Sequence, residues 1–199
     1  MDINKPIIRH IEANIFKYII VLTFFVAGVV VGVANSFSPI SKEAAGDITS
    51  VFENLPEVEF DTVQIMKTSF FKNLRCFFLI FIGGFSIWLL PISFSAIFIC
   101  GFSYGYTVAC MTGQMGGIGF AVAFASIATG LLITVPLSVM LCVIAINHSI
   151  DKKHKYTSSD RVGYVVCSVV LFLANLIVIP ADSLLVLEII RQICASAKL

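Results

Sequence analysis

Chemistry inside a membrane or a protein core needs side chains that can give, take or hold charge. The longest apolar tract of this sequence has none. From Cys76 to Asn147 there is no Asp, Glu, Lys, Arg or His. An ionisable residue within a span is the usual mark of a proton relay, an ion site or an intramembrane enzyme, so those classes lack their reagents here. Ser93, Ser95, Ser126 and Ser138 lie in the tract, but no base accompanies them to activate a hydroxyl. In apolar surroundings Ser and Thr ordinarily hydrogen-bond neighbouring helices. His10, His148 and His154 flank the tract, and their spacing supplies no partner ligand for a metal. Cys76, Cys100, Cys110, Cys142, Cys167 and Cys194 form no C-x-x-C pair. They read as small buried hydrophobes rather than a disulfide framework or metal knuckle. The Gly113–Gly119 cluster has no Lys and no preceding strand, so it is not a phosphate loop. No catalytic residue, cofactor site or metal site is expected.

Three constellations remain. Gly28 and Gly32, and again Gly101 and Gly105, are spaced as G-x-x-x-G. That spacing lets two helix backbones approach closely in lipid, within the chain or toward a second copy. Thr129, Gly130, Thr134 and Pro136 interrupt a long apolar run. Broken helices line substrate sites in transporters, although a kink satisfied by Thr hydroxyls and neighbouring helices is the simpler reading. Glu43, Asp47, Glu53, Glu57 and Glu59 crowd a polar segment. They suit either a solvated face or a docking surface for a partner.

The elements that position these residues follow from composition. The 199 residues are 58% apolar and 13% charged, against roughly 45–50% and about 25% in soluble domains. Mean hydropathy is +0.99. Disorder is excluded by the hydrophobicity. A soluble domain of this length has too little interior to hide so much apolar surface. Net charge is +1, which gives no electrostatic case for nucleic acid. The expected fold is all-α: a polytopic membrane bundle of about five transmembrane helices with amphipathic helices outside.

A span needs about 20 apolar residues. Residues 1–14 read as a cytoplasmic tail and 15–34 as the first span. A signal peptide cleaved near Ala34-Asn35-Ser36 is its rival. Residues 35–73 read as an extracytoplasmic segment of two amphipathic helices, the second capped by Asp61 and leading into the membrane. Residues 74–147 hold spans two to four. Leu74–Met111 would be about 57 Å long as one helix, twice what a bilayer core of about 30 Å requires, so Pro91 marks a turn. Thr112–Gly117 reads as a short loop. Residues 118–146 form a fourth span kinked at Gly130 and Pro136. Residues 148–161 are a basic loop and 162–181 the fifth span. Residues 182–199 carry Glu188 and Arg191 near the middle of a helix, which suits the membrane surface better than a crossing. Lys and Arg counts place the N-terminus and the 148–161 loop in the cytoplasm and the C-terminus outside. Lys67, Lys72 and Arg75 dissent mildly.

Residues 68–136 carry a more specific pattern. Thr68-Ser69-Phe70-Phe71-Lys72-Asn73-Leu74 is followed by Gly84, Leu90-Pro91, Gly101-Phe102-Ser103-Tyr104-Gly105-Tyr106-Thr107-Val108, Gln114-Met115-Gly116 and Gly119-Phe120. In order and spacing this resembles the stage II sporulation protein M family of endospore-forming bacteria. The sequence departs from the family pattern in span four. Thr129-Gly130-Leu131 stands where a Pro-Gln-Asn-type triplet is usual, and Val135-Pro136-Leu137 where Ile-Pro-Ala is usual. The resemblance implies a membrane anchor acting when the mother-cell membrane engulfs the forespore. Its implied partners are stage II sporulation proteins D and P, which cut peptidoglycan outside the membrane. The expected activity is therefore non-enzymatic scaffolding in cell-wall remodelling; a small permease using span four is the alternative. Contacts with partners are expected at Glu43, Asp47, Glu53, Glu57, Glu59, Glu188 and Arg191. Asn73, Pro91, Gly101, Gly105, Gln114, Gly116 and Pro136 are assigned to fold and packing. Membrane lipid is the remaining expected contact, and the oligomeric state stays open.

Overall fold

The computed structural model describes residues 4–38, 62–150 and 162–176. Among them every regular element is helical. Helix α1 is Asn4–Ala13 and α2 is Ile15–Ser36. Helix α3 is Thr62–Gly83, followed by a 3₁₀ turn at Ile87–Leu89. Helix α4 is Leu90–Thr129, two rods joined at Gly116. A π turn, Gly130–Thr134, leads into α5, Val135–Ile150. Helix α6 is Val162–Leu176.

The N-terminal tail is thus itself helical. Asn14 divides it from α2: its side-chain amide donates to the His10 carbonyl at 3.0 Å, and its own carbonyl accepts from the Lys17 and Tyr18 amides at 2.9 and 3.2 Å. One residue closes one helix and opens the next.

Helix α2 packs most heavily on α4, and both G-x-x-x-G motifs lie in that seam. A Cβ on Gly28 would collide with the Phe98 carbonyl, and one on Gly32 with the Phe102 carbonyl. Reciprocally, Gly101 rests on the Phe25 carbonyl and Gly105 on the Val29 carbonyl. Backbone meets backbone because neither helix carries a side chain there. Partner numbers rise together along both chains, so α2 and α4 run parallel. Phe24 and Phe94, 4.8 Å apart, extend the seam.

Parallel neighbours require the chain to come back between them, and α3 does so. Ser93 meets Ile80, and Lys72 lies 5.7 Å over the Tyr104 ring; numbers fall on one helix as they rise on the other. Helix α5 also runs against α4, since Gly130 faces Tyr104 while His148 reaches Gly84. Helix α6 runs against α3, with Tyr164 on Phe81 and Phe172 on Phe77. Directions therefore alternate from α2 to α6.

Among the described residues three helices are long and apolar enough to cross a membrane: Ile15–Ser36, Ile87–Gln114 and Gly130–Ile150. Gly116–Ala128 and Val162–Leu176 are apolar but shorter. The amphipathic helix expected after Asp61 and the start of the second span at Leu74 are one continuous helix. Helix α3 starts at Thr62, includes Lys67, Lys72 and Arg75, and ends at Gly83.

Large apolar side chains face outward all round the bundle, Trp88 at 88% and Leu132 at 73% exposure among them. That is the arrangement of a helix bundle whose solvent is lipid. The interior is built on Val21, Ile80, Ile97, Leu141, Cys142 and Val143.

Two expected breaks take sharper forms. The Thr112–Gly117 loop reduces to Gly116, whose φ of 61° and ψ of −134° turn the chain within one residue. Only glycine adopts that geometry readily. Span four is interrupted at Gly130–Thr134, where the helix widens to a π turn. Pro136 has no amide hydrogen for the Leu132 carbonyl, and its ring crowds that carbonyl, so the preceding turn loosens.

Candidate functional site

The most connected polar cluster lies where α3 ends. A helix C-terminus leaves carbonyls without intrahelical donors, and in lipid no water replaces them. Here three other helices supply the donors. Ser93 of α4 donates to the Ile80 carbonyl at 3.0 Å. Tyr164 of α6 donates to Phe81 at 2.7 Å. Ser149 of α5 donates to Gly83 and Gly84 at 3.1 and 2.9 Å. His148 Nδ1 lies 2.8 Å from the Gly84 carbonyl, a bond it makes as donor. The His148 ring stacks on Tyr164 at 4.4 Å between centroids. Gly83 and Gly84 make room for this: a Cβ on the first would strike Ser93, and on the second the Tyr164 hydroxyl.

Nearby, at the same end of the bundle, the Lys17 amine reaches Asn147 Oδ1 and donates to Asn14 Oδ1 at 3.2 Å. Exposed Trp88 sits on the turn just above. Tryptophan is favoured where a bundle meets the headgroups. The cluster is a clamp that fixes four helices to one another. It holds no nucleophile poised beside a base, and among the described residues no group of three His, Cys, Asp or Glu is placed to hold a metal ion.

The residues singled out from sequence scatter over the bundle. Gly101 and Gly105 are in the α2–α4 seam. Pro91 is exposed in the first turn of α4, where its missing amide hydrogen is not needed. Gly116 forms the hairpin tip, beside exposed Gln114. Pro136 is exposed beside the π turn. Asn73 is half-buried and lines a cavity between α3 and α4. Glu43, Asp47, Glu53, Glu57, Glu59, Glu188 and Arg191 lie outside the described residues, as do the expected 182–199 helix and all of the expected 148–161 loop but His148–Ile150, which end α5. Of the cysteines, Cys110 and Cys142 are buried as expected, whereas Cys167 faces outward on α6.

At the span-four break, the side-chain amide of wholly buried Asn175 donates to Thr134 Oγ1 at 3.1 Å. Asn175, Ser149 and Tyr164 escape sequence reasoning. Their partners are 41 to 83 residues away, and only the Gly83-Gly84 pair hints that something must come close.

The family comparison adds what geometry cannot. A family model described as stage II sporulation protein M matches residues 21–181, most of the chain. The chain belongs to the stage II sporulation protein M family. It is thus a sporulation-related membrane protein, of a family not known for enzymes. The match begins inside α2 and takes in the α2–α4 seam, the α3 clamp and the π turn. Neither the curated proteins nor the solved structures include a match to it.

Proposed function

We propose that this stage II sporulation protein M relative is a non-enzymatic scaffold of forespore engulfment. It anchors and recruits the peptidoglycan-degrading stage II sporulation proteins D and P at the outer face of the mother-cell membrane. Family membership over residues 21–181 carries the reading. The bundle supports it, because its interior polar side chains join helix to helix. In this reading the chain crosses five times, as the alternating helix directions suggest. Lys17, Trp88 and His148 mark the cytoplasmic end. Ser38 and Thr62, which bracket residues 39–61, lie at the other end, which supports an outer side for Glu43, Asp47, Glu53, Glu57 and Glu59.

The π turn gives the permease alternative its one foothold. The Thr134 hydroxyl there is engaged by Asn175, which fits a stabilised kink.

The test is a mild-detergent pull-down of the tagged full-length protein from sporulating cells, followed by mass spectrometry. Cell-wall hydrolases should be enriched over an unrelated membrane bait. Reversing the five acidic charges should lower that recovery without lowering the level of the bait. An ATPase or soluble binding protein in place of hydrolases overturns the scaffold.

A further inference from the structure

The cavity between α3 and α4 has a chemistry the scaffold does not use. Its volume is about 900 Å³, and Lys67, Lys72 and Arg75 line it together with Asn73, Ser103 and Tyr104. All three cations are exposed, and the only carboxylate among the described residues is Glu12, on α1 at the opposite end. Lys72 is drawn over the Tyr104 ring at 5.7 Å. Apolar Phe71, Leu79 and Ile99 continue the lining toward the middle of the bundle.

Depth follows from helix register. Lys67 on α3 lies level with the end of α2 near Ser36. At 1.5 Å per residue, Lys72 sits about 8 Å and Arg75 about 12 Å further in. A lone cation at such depth is disfavoured by up to about 3 kcal/mol on insertion scales. A neutralising anion that itself belongs to the membrane removes the penalty. Phosphate oxygens match the donors of Arg and Lys, and acyl chains match the apolar continuation of the lining.

We propose that this cavity is a binding site for the phosphate headgroup of an anionic membrane lipid. Lys72 and Arg75 hold the phosphate, Lys67 guides it at the surface, and an acyl chain follows Leu79 and Ile99. The site is distinct from the acidic segment assigned to partners, and it stands whether or not the scaffold reading does.

Native mass spectrometry of the detergent-purified full chain tests it, with added phosphatidylglycerol, phosphatidylcholine or inorganic phosphate. Phosphatidylglycerol should be retained preferentially. Lys72→Gln should weaken it about fivefold, and Lys72→Gln with Arg75→Gln about thirtyfold, at the usual worth of one basic residue near an anionic surface. Lys72→Arg should keep binding, and Arg9→Gln at the opposite end should leave it unchanged. Thermal unfolding of each variant separates lost binding from lost fold. Equal retention of the two lipids, or discrimination insensitive to the double variant, overturns the proposal. Inorganic phosphate that competes at equal concentration overturns the lipid assignment. Discrimination that emerges only after amidating Glu43, Asp47, Glu53, Glu57 and Glu59 shows that the chain's own carboxylates fill the site, and overturns it too.

Discussion

Replacing Ser93 by Ala removes one hydroxyl and should weaken the whole bundle. Ser93 is wholly buried, and its Oγ donates to the Ile80 carbonyl at 3.0 Å. In a continuing helix that carbonyl would take the Gly84 amide. Here the Gly84 amide bonds Phe81 instead, at 3.1 Å, because the chain tightens as it leaves α3. Ser93→Ala therefore removes the donor that the Ile80 carbonyl receives from another helix, at a wholly buried position. A buried orphan acceptor costs about 1–3 kcal/mol. Interhelical hydrogen bonds in a membrane average about 0.6 kcal/mol and reach about 1.7. The expected loss is about 1–1.5 kcal/mol, toward the upper membrane values because Ser93 is wholly buried. Ser95 provides the matched control two residues away. Its Oγ bonds the Pro91 carbonyl of its own helix at 2.8 Å, and it is exposed. Ser95→Ala leaves that carbonyl its helical amide and should change stability by less than about 0.5 kcal/mol. Reversible unfolding in bicelles, by denaturant titration or steric trapping, measures both. Equal effects at the two serines would refute the argument that α3 depends on donors from other helices.

Gly101→Ala should destabilise by about 1–3 kcal/mol, the usual penalty of overpacking, because its Cβ would meet the Phe25 carbonyl. Gly113→Ala should instead stabilise by about 0.5–1 kcal/mol, since nothing lies within 4 Å of the added carbon; the same unfolding assay reads both, and matching signs would contradict the parallel seam. Trp88 is the only tryptophan, so its fluorescence reports the Ile87–Leu89 turn directly. Lipids brominated near the headgroup should quench it more than lipids brominated near the chain ends, and the reverse order would remove that turn from the membrane surface.

Much of the architecture is legible in the chain without coordinates. Apolar content and the missing charges between Cys76 and Asn147 suffice for a membrane helix bundle, because lipid leaves the backbone few alternatives. Pro91, Gly116 and Pro136 announce breaks because each alters the backbone locally, through a lost amide hydrogen or a positive φ. The two G-x-x-x-G motifs announce a close seam, and a run of short motifs in register announces the family. What tertiary structure alone decided is pairing: which helix lies against which, and at what register. Nothing local states that Gly28 meets Phe98 on a parallel helix, or that Ser93, Ser149 and Tyr164 converge on one helix end. Helix α3 is the clearest case. Its cations look like the charged approach to a span that begins at Leu74. Packed against α4, the same helix carries Lys72 to the Tyr104 ring and sets Arg75 beside a cavity. A sequence records which residues are charged, but what a charge faces is a property of the neighbour against which its helix is packed.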